Sequence, residues 1–165
     1  FFHEGLAAVE LDGKRGLIDK TGRKIIPLKY DDTLWFSEGL AGVKLDGKWG
    51  FIDKTGKEIT PSKYDDTWNF REGLVSVGLN DKYGFIDKTG KEIILLKYDE
   101  ARNFDEGLAA VGLDGKWGFI DKTGKEIIPL KYDEALWFKK GFARVKLGGK
   151  WGYADKNGNE TWDEE

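Results

Sequence analysis

The chain contains no cysteine and a single histidine, His3. Without cysteine neither a disulfide nor a thiolate metal site can form, and the compartment stays open, because a cysteine-free chain suits oxidising and reducing settings alike. One histidine leaves a transition-metal centre or a Ser-His-Asp arrangement without its parts. No apolar run approaches the roughly 20 residues of a spanning helix and no leader peptide opens the chain, so membrane insertion is not expected. An excess of one charge is lacking too: 27 Lys and Arg face 30 Asp and Glu, a formal net charge of −3 spread evenly along the chain. With no basic stripe for phosphates, nucleic acid is not an expected partner.

What the chain has instead is glycine, aromatic residues and mixed charge. Charged residues make up 35%, yet seven Trp, six Tyr and ten Phe supply a core and argue against disorder. The glycines are not scattered. Gly5, Gly39, Gly73, Gly107 and Gly141 fall 34 residues apart, as do Gly16, Gly50, Gly84, Gly118 and Gly152, and Tyr30, Tyr64, Tyr98 and Tyr132 keep the same interval. A fixed period of this size marks a repeat architecture in which each unit buries its apolar face against its neighbours. The 165 residues read as a single repeat domain, with units at 2–35, 36–69, 70–103, 104–137 and 138–165. It starts and stops in mid-repeat, as a mature fragment or an excised segment of a longer array would.

One unit predicts an antiparallel β-meander. After Gly39, Ala41, Val43 and Leu45 alternate with variable positions, the period-2 pattern of a half-buried strand. Asp46-Gly47 is a hairpin signal, and Lys48 to Asp53 follows as the next strand, Trp49, Phe51 and Asp53 facing one way, Gly50 and Ile52 the other. Lys54-Thr55-Gly56 closes a second turn. A third strand, Glu58 to Pro61, is expected to end at its proline, and Tyr64 to Phe70 forms a fourth short strand or a connector. In the first unit the strands are predicted at 6–11, 15–20 and 24–27. The invariant small and aliphatic series around Ala41, Val43 and Leu45, with Phe36, Phe70, Phe104 and Phe138 and Phe2 in the same register, locates the core.

The stretch KWGFIDKTGKEI at 48–59 recurs almost unchanged at 116–127, and with Tyr83 for Trp at 82–93. It resembles the bacterial WG-repeat family, named for its Trp-Gly pair, over essentially the whole chain. Arg15 stands in place of the Trp in the first copy, and Thr161-Trp162-Asp163 in place of Ile-Ile-Pro in the last, as terminal copies commonly differ. The resemblance implies a bacterial interaction module or envelope-associated one, with the cell envelope or extracellular space favoured, and no established chemistry. Two all-β architectures suit 34-residue units: an open, twisted, solenoid-like array, which is preferred, and a five-bladed propeller-like ring.

The residues that carry chemistry each have a plainer role. Asp19, Asp53, Asp87, Asp121 and Asp155 could form a Ca²⁺ ladder, but each loop offers one carboxylate and an Asx turn is the expected role. Glu4, Glu38, Glu72 and Glu106 are expected as solvated turn residues rather than a glycosidase pair. Gly-Lys pairs at 13–14, 47–48, 115–116 and 149–150 open strands, not the helices of phosphate loops. The Trp of each Trp-Gly pair is expected in the core, with a ligand platform as the alternative.

More telling is where near-identical units disagree. Leu34-Trp35, Trp68-Asn69, Arg102-Asn103 and Leu136-Trp137 precede the invariant Phe, and Ser37, Arg71, Asp105 and Lys139 follow it. Trp and Arg are favoured anchors in recognition, so Trp35, Trp68, Arg71, Arg102 and Trp137 are the expected partner-binding residues. The expected role is a non-catalytic scaffold for protein–protein interaction or self-association, with a carbohydrate- or cell-wall-binding module as the alternative. No catalytic residue, metal or cofactor is expected.

Overall fold

The computed structural model describes residues 4–164; Phe2 and His3, singled out above, lie outside them. Five antiparallel sheets follow one another along the chain, and the described residues contain no helix. The first sheet has three strands, β1 (Leu6–Leu11), β2 (Lys14–Asp19) and β3 (Lys24–Tyr30). The second has four, β4 (Asp32–Thr33), β5 (Leu40–Leu45), β6 (Lys48–Asp53) and β7 (Glu58–Tyr64). The third repeats this as β8 (Asp66–Thr67), β9 (Leu74–Leu79), β10 (Lys82–Asp87) and β11 (Glu92–Tyr98). The fourth comprises β12 (Glu100–Asp105), β13 (Leu108–Leu113), β14 (Lys116–Asp121) and β15 (Glu126–Tyr132). β16 (Glu134–Lys139), β17 (Phe142–Leu147), β18 (Lys150–Asp155) and β19 (Glu160–Trp162) form the fifth. Within each sheet the strands pair in chain order, and the segment left open as strand or connector is the first strand of the following sheet.

Two expectations need correction. The third strand does not stop at its proline: β7 runs through Pro61 to Tyr64 and β15 through Pro129 to Tyr132. Each proline falls in a register shift, between Trp49↔Tyr64 and Phe51↔Thr60 in β7, on the outer edge of its sheet. A proline there removes no ladder hydrogen bond. Nor are the inner strands half-buried. Leu74 to Gly78 of β9 and Leu108 to Gly112 of β13 are buried without interruption, because each middle sheet is covered on both faces by its neighbours.

The bulge explains the Trp-Gly pair. A Cβ on Gly50 would lie 2.5 Å from Thr60 O and 2.9 Å from Pro61 O, and Gly118 meets Ile128 O and Pro129 in the same way. The bulged edge strand crosses so closely that only a glycine fits beneath it.

Sheets stack through aromatic contacts. Phe70, Phe104 and Phe138 of one sheet each meet Phe51, Phe85 and Phe119 of the preceding sheet edge-on, with centroids 4.8–4.9 Å apart. Each of four buried clusters joins two consecutive sheets, and none among the described residues joins the fifth to the first. The array is open. At its far end Phe142 and Tyr153 are exposed, whereas their counterparts Leu108 and Phe119 are buried. Arg144 stands where the middle sheets have Gly42, Ser76 and Ala110; it pairs with Asp163 at 2.9 Å and lies over Trp151 and Tyr153. Arg144 thus places a charged side chain at a position where the inner sheets carry small residues.

Candidate ligand-binding groove

Most recurring polar residues hold the array together. Asp53 Oδ1 accepts the Thr55 N–H at 2.8 Å, its hydroxyl at 2.6 Å and the Lys57 N–H at 3.0 Å, with the same Asx-type arrangement at Asp19, Asp87 and Asp121. The Thr hydroxyls are the main cause holding these four carboxyls below the ordinary range, so they are turn caps and not a cation ladder. The Gly-Lys lysines Lys14, Lys48 and Lys116, with Lys82 in register, pair with Asp31, Asp65, Asp133 and Asp99. Each of these carboxylates also accepts a backbone N–H from the next sheet's hairpin, Asp99 from Asp114 at 2.8 Å.

The glutamates before the turn glycine are not merely solvated. Glu38, Glu72 and Glu106 accept the N–H of Gly73, Gly107 and Gly141 in the next unit at 2.8–3.0 Å. Lys88 and Lys122 pair with Glu38 and Glu72 at 3.3 and 3.7 Å. They act as latches between sheets, and Lys140 in the last unit cannot accept such a bond.

The residues that break the repeat converge. A groove of about 630 Å³ crosses the third, fourth and fifth sheets, lined among others by Trp68, Arg71, Arg102 and Trp137. Four of the five expected partner-binding residues therefore share one concave surface, and the fifth, Trp35, lies outside its lining. They meet because β12, the first strand of the fourth sheet, lies against β9, the second strand of the third sheet, and against β16, the first strand of the fifth. Trp68 and Trp137 are 56% and 52% exposed, unusual for residues of this size. Trp117 of the Trp-Gly series is buried, as expected of a core position, but its edge reaches the groove, where the Arg102 guanidinium lies 4.9 Å from its centroid.

Both guanidiniums are engaged. Arg102 Nε donates to Ala135 O at 3.0 Å, and Arg71 pairs with Asp105. Burial pushes the Asp105 carboxyl above its ordinary range even so, with Glu72 and Glu106 adding to the rise against Arg71.

Other lining residues, Asp66, Asp81, Tyr83, Asp99 and Glu100 among them, were not expected as partner-binding from the sequence. Asp81 replaces the hairpin glycine found at Gly13, Gly47, Gly115 and Gly149, and holds a φ of 63°. Tyr83 replaces the Trp and donates to Asp66 at 3.0 Å; burial and that bond raise its pKa to about 12. The signal for Asp81 was the single break it makes in a glycine series, and for Tyr83 the break it makes, with Arg15, in the Trp series.

A sequence profile described as WG containing repeat matches residues 16–49, 49–83, 83–117 and 117–151. The chain belongs to the WG-repeat family. No curated protein sequence matches it. In structure, Kluyveromyces lactis Hsv2 aligns with a TM-score of 0.57 at 10% identity, over 95% of this chain and 59% of that one. The extracellular domains of BT3049 and BT4673 from B. thetaiotaomicron align with a TM-score of 0.53 each, at 14% and 17% identity over 98% and 96% of this chain. The WG-repeat chain spans 27% of each of those two, and about three-fifths of Hsv2. At such identities the likeness is one of fold alone, a β-propeller-like succession of sheets, none closed into a barrel.

Proposed function

We propose that this WG-repeat domain is a non-catalytic interaction module that binds a protein partner in the groove across its third to fifth sheets. One observation carries the reading: residues that depart from the repeat, Trp68, Arg71, Asp81, Arg102, Asp105 and Trp137, come together on one surface. Drift would scatter such departures around every sheet. The recurring turn aspartates and the glutamates before the turn glycine are engaged as caps and latches, which supports a structural role for those two series.

Two exposed tryptophans also suit a sugar face, so a glycan is the second reading. Self-association through the open ends is the weaker one, since Arg144 and Lys140 alter the far face away from the pattern that stacks. Immobilised protein and glycan panels, probed with the domain and with a Trp68→Ala, Trp137→Ala variant, test the proposal. Trp35→Ala serves as a control, because Trp35 lies outside the groove lining. Protein binding lost in the groove variant and kept in the control supports the proposal. Binding that both variants keep refutes it, and glycan binding with the same pattern moves the conclusion to the second reading.

A further inference from the structure

We infer that the groove recognises a basic segment of an extended polypeptide, seating Lys or Arg side chains against Trp68 and Trp137 with Asp66, Asp81 and Glu100 as counter-charges; this rests on reading the groove as the interaction surface. The charge balance is the first argument. Five carboxylates line the groove, Asp66, Asp81, Asp99, Glu100 and Asp105, against the two guanidiniums of Arg71 and Arg102. Arg71 is held by Asp105, Arg102 by Ala135 O and the Trp117 ring, and Asp99 is met by Lys82. Asp66 accepts from Tyr83 and from its neighbour Thr67, but forms no ion pair among the described residues, and neither do Asp81 and Glu100. The charge left over is negative, beside exposed indoles.

The second argument is chemical. An indole face attracts a cation through its quadrupole, Trp most strongly of the aromatic side chains. A carboxylate beside it adds a charge-assisted bond to the same ammonium or guanidinium. Within the groove a cation already lies over an indole, Arg102 over Trp117. An anionic ligand would meet the surplus carboxylates with both guanidiniums occupied.

The third argument comes from Asp81. A hairpin position that takes glycine in four units takes a carboxylate in the one that lines the groove, at a φ of 63°. Side chains are disfavoured there, and locally costly residues gather at binding sites. An extended polypeptide fits the shape, since the groove runs across three sheets and is far larger than one side chain.

The test uses short peptide libraries with Lys or Arg, Gln, or Glu fixed at the centre and the other positions degenerate. Binding is read by tryptophan fluorescence and calorimetry over a salt series. The inference expects Lys or Arg libraries to bind at least about tenfold more tightly than Gln or Glu libraries. That preference should weaken with salt and should be lost in Asp81→Asn, Glu100→Gln. Peptide binding that is sensitive to Trp68→Ala but indifferent to the central charge overturns the cation inference and leaves the groove as an interaction surface. Basic-peptide binding that survives Trp68→Ala, Trp137→Ala is diffuse and overturns it too. No binding by any library overturns both readings.

Discussion

Replacing Gly118 with alanine tests the account of the Trp-Gly pair directly. The backbone there lies outside the left-handed region, so glycine is not required for conformation. Space requires it: an added Cβ would stand 2.5 Å from Ile128 O, and 2.8 Å from both Leu130 N and the Pro129 carbonyl carbon. All three are backbone atoms of β15, and no side chain can swing aside to relieve them. Where room exists, a Gly→Ala change stabilises by about 0.4–1 kcal/mol through the unfolded chain. Forcing an extra carbon into a packed site costs about 1–3 kcal/mol. Here the strand that must yield carries Ile128 and Tyr132, which pack against Ala135, Phe138, Ala143 and Val145 of the fifth sheet. The collision outweighs the entropic gain, and we expect a net loss of about 2 kcal/mol, or about 4–8 °C in Tm for a chain of this size. Urea unfolding followed by tryptophan fluorescence should show a lower midpoint with an unchanged slope. A variant as stable as the parent, or more so, would refute the close-approach argument and leave the glycine without a physical reason.

Phe104→Ala removes a fully buried ring in edge contact with Phe85 at 4.8 Å and should cost about 3–5 kcal/mol, measured in the same urea experiment. Acid should destabilise the array. Asp31, Asp65, Asp99 and Asp133, held low chiefly by their lysine partners, and the turn aspartates all have folded pKa values below the ordinary 3.8. Their contribution is present in full above about pH 4 and is lost as pH falls through the folded values, while the raised Asp105 opposes this as a single group. The thermal midpoint should hold from neutrality to about pH 4 and then drop; a fall already complete by about pH 5 would contradict that assignment. Glu72→Ala breaks an exposed latch to Gly107 and should cost under about 1 kcal/mol, yet raise amide exchange at Gly107. Asp81→Gly should stabilise by about 1 kcal/mol by relieving a left-handed side chain, while weakening any basic-peptide binding. A destabilised Asp81→Gly variant would mean that Asp81 supports the hairpin instead.

The strands and turns were legible because period and punctuation agree at this level. Asp46-Gly47 marks its hairpin, Asp53 its Asx turn, and the predicted 6–11 strand matches Leu6–Leu11. What exceeded a single unit was not legible. Alternation in one strand cannot tell a half-buried sheet from one covered on both faces, because glycines such as Gly78 and Gly112 sit at positions that read as solvent-facing. They are buried against the Tyr83 and Trp117 rings. Pro61 misled for a related reason: the rule against proline in a ladder assumes a ladder, and the bulge removes it. The latch formed by Glu38 was hidden because its acceptor bond is made to Gly73, one whole unit away.

The groove was half legible, and the half that was missed follows from how a repeat is read. Comparing aligned positions picked out Trp68, Arg71, Arg102 and Trp137 because each varies among neighbours that also vary. Asp81 is the lone exception in a column of glycines, and Tyr83 one of two exceptions, with Arg15, in a column of Trp; isolated exceptions of this kind resemble tolerated noise. Structure changes the weight of the exceptions. Asp66, Asp81 and Tyr83 belong to the third sheet, yet they share a surface with Arg102 and Trp117 of the fourth and Trp137 of the fifth. Five near-identical sheets can build a rigid frame, but they cannot by symmetry build one unlike place. Here that place arises where breaks in separate columns are brought onto one face by the packing of β12 against β9 and β16, so its specificity resides in the departures from the repeat while its rigidity comes from the repeat itself.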